Sequence, residues 1–155
     1  MVLKPNLVEY SDAACINTHP TIVAAAVQAL YRLGSASVII AEGPGHVRDT
    51  ELLLDECGLR DTLDAVGSGR FIDLNFDDVS RTRTATGLTD LDEIWLPQTV
   101  RAADVLISMP KIKTHHWTGV TLAMKNLFGV VPGSIYGWPK NLLHWQPRGT
   151  PKTGQ

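Results

Sequence analysis

The chain has 155 residues with a formal net charge of −2, and 44% of them are hydrophobic and 19% charged, which is the composition of a globular domain and not of a disordered segment. Its apolar runs are far shorter than the roughly 20 residues of a membrane-spanning helix, and its N-terminus lacks the apolar stretch of a signal peptide. Two cysteines, Cys15 and Cys57, are too few for a disulfide framework or an iron–sulfur ligand set, which favours a reducing, cytoplasmic environment.

Short apolar runs separated by turn residues predict strands that alternate with helices. In chain order, the predicted strands are Met1–Leu3, Ser37–Ala41, Arg70–Leu74 and Asp104–Ser108, with a hairpin of Arg81–Thr86 and Ile94–Leu96. The predicted helices are Ile22–Leu33, a segment that is capped by Asp49 or Thr50 and ends before Gly58, Leu59–Val66, Thr99–Ala103 and Val120–Phe128. Thr18 is expected to cap the first helix and Gly34 to end it.

This alternation predicts an α/β fold with a mainly parallel sheet and flanking helices, Rossmann-like, in an incomplete or short form. Val38–Ala41 and Val105–Ser108 are expected to be parallel strands in the interior of the sheet, because both are largely apolar runs. Residues 1–129 are assigned to the α/β domain. Residues 130–155 contain four Pro and four Gly without periodicity, so this tail is expected to be irregular and to pack on further chain or on a partner.

Three polar loops follow predicted strands, namely Lys4–Asn6, Glu42–His46 and Pro110–His116. In parallel α/β sheets, ligands bind beyond the C-terminal ends of the strands. The three loops should therefore meet at one edge of the sheet and form the ligand site there.

The charges are distributed unevenly along the chain. Residues 1–104 contain all 16 acidic residues and 8 of the 14 basic ones, whereas residues 105–155 contain six basic residues and no acidic one. This pattern suits contact with an anion, although the bases can also pair with acids earlier in the chain. Nucleic-acid binding is disfavoured, because six basic residues without a basic helix provide little positive charge for contacts with phosphates.

The segment from Pro110 to Thr121 carries the strongest signal for a site. It is predicted to leave a buried strand, to present Lys111 and Lys113, and to enter a helix near Thr118 and Thr121. Ammonium groups, hydroxyls and the free N–H groups of a helix start would together bind a phosphate or a carboxylate. The segment contains no Walker A or dinucleotide fingerprint, and a plain solvated basic loop is the alternative.

Further candidates are His115, Lys125 and Glu42 for proton transfer and Asn126 for ligand contact. Lys125 equally suits a helix C-terminus, where it favours the dipole, and Glu42 equally suits a surface or capping position. No metal site is predicted, because neighbouring histidines rarely point the same way and no carboxylate lies near them in sequence.

Several motifs together resemble the family called domain of unknown function 362. They are Lys4-Pro5-Asn6, Thr18-His19-Pro20, Ala41-Glu42-Gly43, Ala103-Asp104-Val105, Met109–His115 (with Thr114), Thr121–Gly129 and Tyr136-Gly137-Trp138-Pro139-Lys140. The resemblance extends over about residues 1–145 and implies a prokaryotic, cytoplasmic protein without an established activity. Some family members carry a ferredoxin-like iron–sulfur segment, whose cysteines this chain lacks.

The first hypothesis is an enzyme-type domain that binds an anionic small molecule or a nucleotide-like cofactor through Lys4, Asn6, Lys111, Lys113, Thr114, Thr118, Thr121 and Asn126. The alternative is a redox accessory domain whose basic segment docks on a ferredoxin-like, iron–sulfur partner. Neither hypothesis involves nucleic acid or a membrane. The reaction, the cofactor and a homo-oligomeric state are left open.

Overall fold

The structure is a computed structural model that describes residues 1–11, 15–45, 49–84, 92–115, 119–137 and 140. Its strands are β1 Val2–Pro5, β2 Ile39–Glu42, β3 Arg70–Asp73, β4 Val79–Arg83, β5 Glu93–Pro97, β6 Leu106–Met109, β7 Lys113–His115 and β8 Gly119–Thr121. Its helices are α1 Pro20–Arg32, α2 Thr50–Glu56, α3 Leu59–Ala65, α4 Gln98–Arg101, α5 Ala123–Leu127 and α6 Gly133–Tyr136, with a 3₁₀ turn at Phe128–Val130.

The centre of the fold is a four-stranded sheet in the order β3-β2-β1-β6, in which every pairing is parallel. This confirms the predicted α/β class with a parallel sheet and flanking helices. The chain adds strands on one side of β1 and then returns to its other side to form β6. The C-terminal ends of β1 and β6 therefore lie side by side where the strand order reverses.

Successive residues of each strand pack on opposite faces of the sheet, as the pleat requires. On one face, Leu3 and Ile40 join the apolar residues of α1, α2 and α3 in the main core. On the other face, Val2 and Ala41 form a smaller core with Leu74. Both sides of β1 and β2 are thus buried, which explains why each strand begins with an apolar run before its charged residue, Lys4 or Glu42.

Strand β6 corrects one prediction. It is parallel to β1, as expected, but among the described strands it forms an edge of the sheet and not its interior. Its residues are only half-buried. Ile107 and Met109 still pack against the main core, while Leu106 packs against the smaller one, and these contacts account for the apolar run.

Helix α1 begins differently from the prediction. His19 is its N-cap, and its ring Nδ1 accepts a hydrogen bond from the backbone N–H of Thr21. Thr18 is not the cap, because its hydroxyl accepts from the N–H of Asn6 at 2.8 Å and donates to the carbonyl of Met109 at 2.6 Å. Thr18 therefore joins the loops that follow β1 and β6. Gly34 ends the helix with a φ of 91°, as predicted.

Two antiparallel hairpins accompany the sheet. Strands β4 and β5 form the predicted hairpin, and its turn lies outside the described residues. Against it packs α6, whose buried Tyr136 hydroxyl accepts from the N–H of Trp95 at 2.7 Å. The described part of the predicted tail therefore includes a short helix, and whether residues 130–155 form a separate unit stays a prediction. No helix in the described ranges has the length and apolar character needed to cross a membrane.

The second hairpin replaces a predicted helix start. Lys113 and Thr121 face each other across β7 and β8, so Val120 and Thr121 belong to a strand. Helix α5 begins only at Ala123. The expected helix from Val120 to Phe128 was wrong at its N-terminal end, because pairing with β7 outweighs the helical spacing of these apolar residues.

Candidate functional site

A buried ion pair lies where β1 and β2 end. Lys4 and Glu42 are 0% and 2% exposed, and the Lys4 Nζ donates to the Glu42 Oε2 at 2.5 Å. The N–H of Leu7 also donates to that oxygen, at 3.2 Å, and the N–H of Gly43 donates to the Oε1 at 2.9 Å. The carboxylate therefore has hydrogen bonds on both oxygens, which is the condition for holding a charge in a protein interior.

Asn126 connects this ion pair to β6. Its Oδ1 accepts from the Lys4 Nζ at 3.1 Å, and its Nδ2 donates to the Lys4 carbonyl at 3.1 Å and to the Ser108 Oγ at 3.0 Å. The Lys4 ammonium also donates to the Pro5 carbonyl at 3.1 Å, so all three of its protons are used. Helix α5 thereby fixes the lysine at the point where the strand order reverses.

Lys140 brings a second ammonium group to the same place. It is 3% exposed, and its Nζ donates to the carbonyls of Gly43 and Gly129, each at 2.9 Å. Its backbone has a φ of 68°, a left-handed conformation that costs a non-glycine residue about 1–2 kcal/mol. We refer to Lys4, Glu42, Asn126 and Lys140 as the strand-end cluster.

Asn75 fixes the loops around Lys140. It follows β3, and its Nδ2 donates to the Pro44 carbonyl at 3.0 Å while its Oδ1 accepts from the N–H of Gly133 at 2.8 Å. This amide joins the loop after β2 to the first residue of α6. A Cβ on Gly43 would lie 2.9 Å from the Asn75 Oδ1, so the loop can approach this closely only with glycine there.

Two lysines in and just before the β7–β8 hairpin contact the loop that precedes α1. Lys113 Nζ donates to the Ile16 carbonyl at 2.8 Å, and Lys111 Nζ contacts the Cys15 Sγ at 3.6 Å. Lys125, on α5, lies 5.2 Å from the centre of the Phe128 ring. Lys113 and Lys125 are half-buried.

Four lysines of this region share a lowered pKa. Burial is the main cause for Lys4, Lys113, Lys125 and Lys140, and for Lys140 it lowers the pKa to about 8. Attraction to Glu42 opposes the shift of the pKa of Lys4, Lys113 and Lys140. Glu9 also attracts Lys113, and Asp73 also attracts Lys140. Within the strand-end cluster itself, one carboxylate faces two ammonium groups, so the cluster is short of negative charge.

The low pKa of Lys140 predicts how stability depends on pH. Between about pH 8 and 10.5 the unfolded chain keeps a proton that the folded chain has lost, so stability rises with pH in this window. We expect the unfolding free energy of the wild type, relative to that of Lys140→Met, to rise by about 2 kcal/mol from pH 7 to 9.5. Urea denaturation at each pH measures it.

The subtraction removes groups that titrate alike in both proteins, such as the Cys57 thiol, whose pKa is raised by burial. Arg32→Met, an exposed substitution at the far end of α1, should follow the wild-type profile. Identical slopes for the wild type and Lys140→Met would contradict the prediction.

The structure brings together only part of the predicted site. Lys4, Glu42 and Asn126 are in direct contact, and Asn6 lies two residues beyond Lys4. Lys111, Lys113 and Thr114 lie in the hairpin and the loop before it, and Thr114 is exposed. His115 is half-buried at the end of β7.

The predicted anion cradle at a helix start is not formed as expected. Thr121 is in β8, its hydroxyl is buried, and α5 is only five residues long. Thr118 lies outside the described residues. The part of the chain that the structure describes contains no group of three His, Cys, Asp or Glu side chains placed to hold a metal ion.

Sequence reasoning missed Lys140 and Asn75 as site residues. Asn75 offered a signal, because it is a polar residue directly after a predicted strand. Lys140 offered a weaker one, because it is a basic residue in the acid-free segment 105–155. Its position within an irregular Pro/Gly-rich stretch hid the fact that its ammonium reaches the strand ends.

The fold and the site define the class of protein: an α/β domain with a lysine-rich cluster at the ends of its parallel strands. The chain belongs to the family described as "Domain of unknown function (DUF362)", whose model matches residues 1–146. This confirms the resemblance seen in the motifs.

The chain is also similar to the "Thylakoid-associated protein sll1697" of Synechocystis sp. (strain ATCC 27184 / PCC 6803 / Kazusa), with 29% identity over 140 residues. The alignment covers 89% of the chain and 41% of that relative, so the chain spans less than half of the relative's length. No solved structure shows significant similarity to this chain.

Proposed function

We propose that this chain is an enzyme-type domain that binds an anionic small molecule or a nucleotide-like cofactor at the C-terminal ends of β1, β2 and β6. The observation that carries the proposal is the charge imbalance of the site. Lys4, Lys113, Lys125 and Lys140 all lose hydration there. Glu42 attracts three of them, while Glu9 and Asp73 attract one each, so the ammonium groups outnumber the carboxylates. A bound anion would supply the missing negative charge where desolvation makes it most effective.

The strand order supports this location. Numbered by their order along the chain, the sheet strands run 3-2-1-4, which matches one half of a Rossmann-like, doubly wound sheet together with the first strand of the other half. Ligands of such sheets bind beside the strand at which the order reverses. That strand is β1 here, and Lys4 is part of it.

Within the proposal, the candidate residues take different roles. Glu42 has hydrogen bonds on both oxygens, so its role is to hold Lys4 in place and not to transfer a proton. Lys125 has a pKa lowered by burial and is the better candidate for a base. His115 is the second candidate, at the end of β7. The proposal includes a cytoplasmic location.

Lys113→Met tests the proposal. Native mass spectrometry of protein purified from its own host identifies the co-purifying anion, and calorimetric titration then measures its affinity. We expect Lys113→Met to weaken binding roughly 10- to 150-fold, because a charge-assisted hydrogen bond contributes about 1.5–3 kcal/mol. Raising the salt concentration should weaken binding to the wild type more than to the variant.

Arg32→Met is the matched control, since it removes an exposed cation at the opposite end of α1 and should bind like the wild type. Equal affinities of the wild type, Lys113→Met and Lys111→Met for the anion would refute the proposal. If no anion binds and the chain instead associates with an acidic ferredoxin in a salt-sensitive way, the redox accessory role replaces it.

A further inference from the structure

Two buried polar atoms near the strand-end cluster have no hydrogen-bond partner among the described residues. They are the Oδ1 of Asn6 and the Oγ1 of Thr121, in side chains that are 8% and 3% exposed. Nearly all buried polar groups in folded proteins are paired, so such an atom calls for an explanation. A ligand that completes the site would provide one.

Both residues lie at the same end of the sheet as the lysines. Asn6 directly follows β1, and its neighbour Leu7 donates its N–H to Glu42. Thr121 is the register partner of Lys113 and precedes α5, which carries Asn126 to Lys4. The two unpaired atoms therefore belong to the elements that hold the ammonium groups.

The chemistry of the two atoms restricts the ligand. An amide oxygen only accepts hydrogen bonds, so Asn6 requires a ligand group that donates one. An amine would bring a further positive charge into a site that is already rich in ammonium groups, which disfavours it. A hydroxyl group donates without charge, and the Thr121 hydroxyl can accept from it or donate to the anion.

We infer that the ligand of this site is a hydroxylated anion, such as a sugar phosphate or a hydroxy acid, whose hydroxyl donates to Asn6. The inference rests on the proposed anion binding and adds the substrate class to it. The half-buried Lys113 and Lys125 recognise the anionic group, while Asn6 and Thr121 distinguish the hydroxylated compound from its deoxy analogue. A site that leaves a buried acceptor unpaired rejects the analogue more strongly than lost contact area alone would.

Matched pairs of small anions test this inference. The probes are glycerol 3-phosphate against n-propyl phosphate, and glycolate against acetate, titrated by calorimetry into the wild type, Asn6→Leu and Thr121→Val. In at least one pair, we expect the wild type to bind the hydroxylated member at least about 10-fold more tightly, as one hydrogen bond predicts. Asn6→Leu should remove this preference and keep the affinity for the deoxy member.

Thermal unfolding of the unliganded variants shows whether they fold. Asn6→Leu and Thr121→Val replace unpaired buried polar atoms with apolar ones of similar size, so both should keep or raise the midpoint of the wild type. If both members of each pair bind equally, the hydroxyl inference is wrong and anion binding stands. If no probe of either pair binds, both proposals fail. A preference that survives in both variants also overturns the assignment of Asn6 and Thr121.

Discussion

Replacing Glu42 by Gln is expected to lower the free energy of unfolding by about 3–5 kcal/mol, because it removes one partner of a buried ion pair. The Lys4 ammonium is 0% exposed and would then lie beside a neutral amide. Lys140 would lose the same carboxylate's attraction, which opposes the lowering of its pKa. Urea denaturation at pH 7 measures the loss, and the exposed substitution Glu51→Gln serves as the control.

The double variant Lys4→Met/Glu42→Leu distinguishes two causes of a lower unfolding free energy: an unpaired buried charge and a change in side-chain size. Removing both charges leaves no uncompensated ion, so the double variant should lose clearly less stability than the sum of Lys4→Met and Glu42→Leu. Additive losses would mean that Lys4 and Glu42 stabilise the fold independently, which contradicts the contact between them.

Gly129→Ala should also destabilise the fold, by about 3 kcal/mol or more. A Cβ at this position would lie 2.3 Å from the Glu42 Oε1 and 2.7 Å from the Lys4 Nζ. The ion pair would have to separate, since a buried pair has no solvent into which it can move. Gly129 is in a 3₁₀ turn, where alanine would otherwise be favoured over glycine, so the sign of the effect is informative.

Gly58→Ala provides the comparison. A Cβ there would meet nothing within 4 Å, but the φ of 71° makes alanine unfavourable by about 1–2 kcal/mol. We expect Gly129→Ala to lose more stability than Gly58→Ala although its backbone suits alanine better. Chemical denaturation of both variants gives the comparison, and a stability gain for Gly129→Ala would show that the space beside the ion pair is larger than described.

The fold could be predicted largely from local signals. The apolar run of β2, the capping Asp49 and the αL residue Gly34 each specify their element within a few residues. The prediction failed where a distant segment decides the structure. Val120 and Thr121 have helical spacing to Phe128, yet pairing with β7 makes them a strand, and no local pattern reports that partner.

Lys4, Glu42 and Asn126 were predictable as members of the site, but Lys140 and the contacts between the members were not. Lys4 and Glu42 were found because polar residues follow buried strands at the ligand edge of a parallel sheet. Their ion pair joins residues 38 positions apart, and the bond to Asn126 joins residues 122 positions apart. Sequence patterns indicate side-chain chemistry and local conformation, so neither of these long-range contacts could be inferred from them. The helix start that should have cradled the anion was an error of the same origin.

The contacts of Lys4 have a consequence for biosynthesis. The lysine leaves the ribosome 122 positions before Asn126, and Lys140 follows later still. Until then, the Lys4 ammonium lacks the amide that fixes it, and water has to solvate it in the nascent chain. Translation therefore makes the strand-end cluster close well after α1, α2 and α3 have emerged to build the main core.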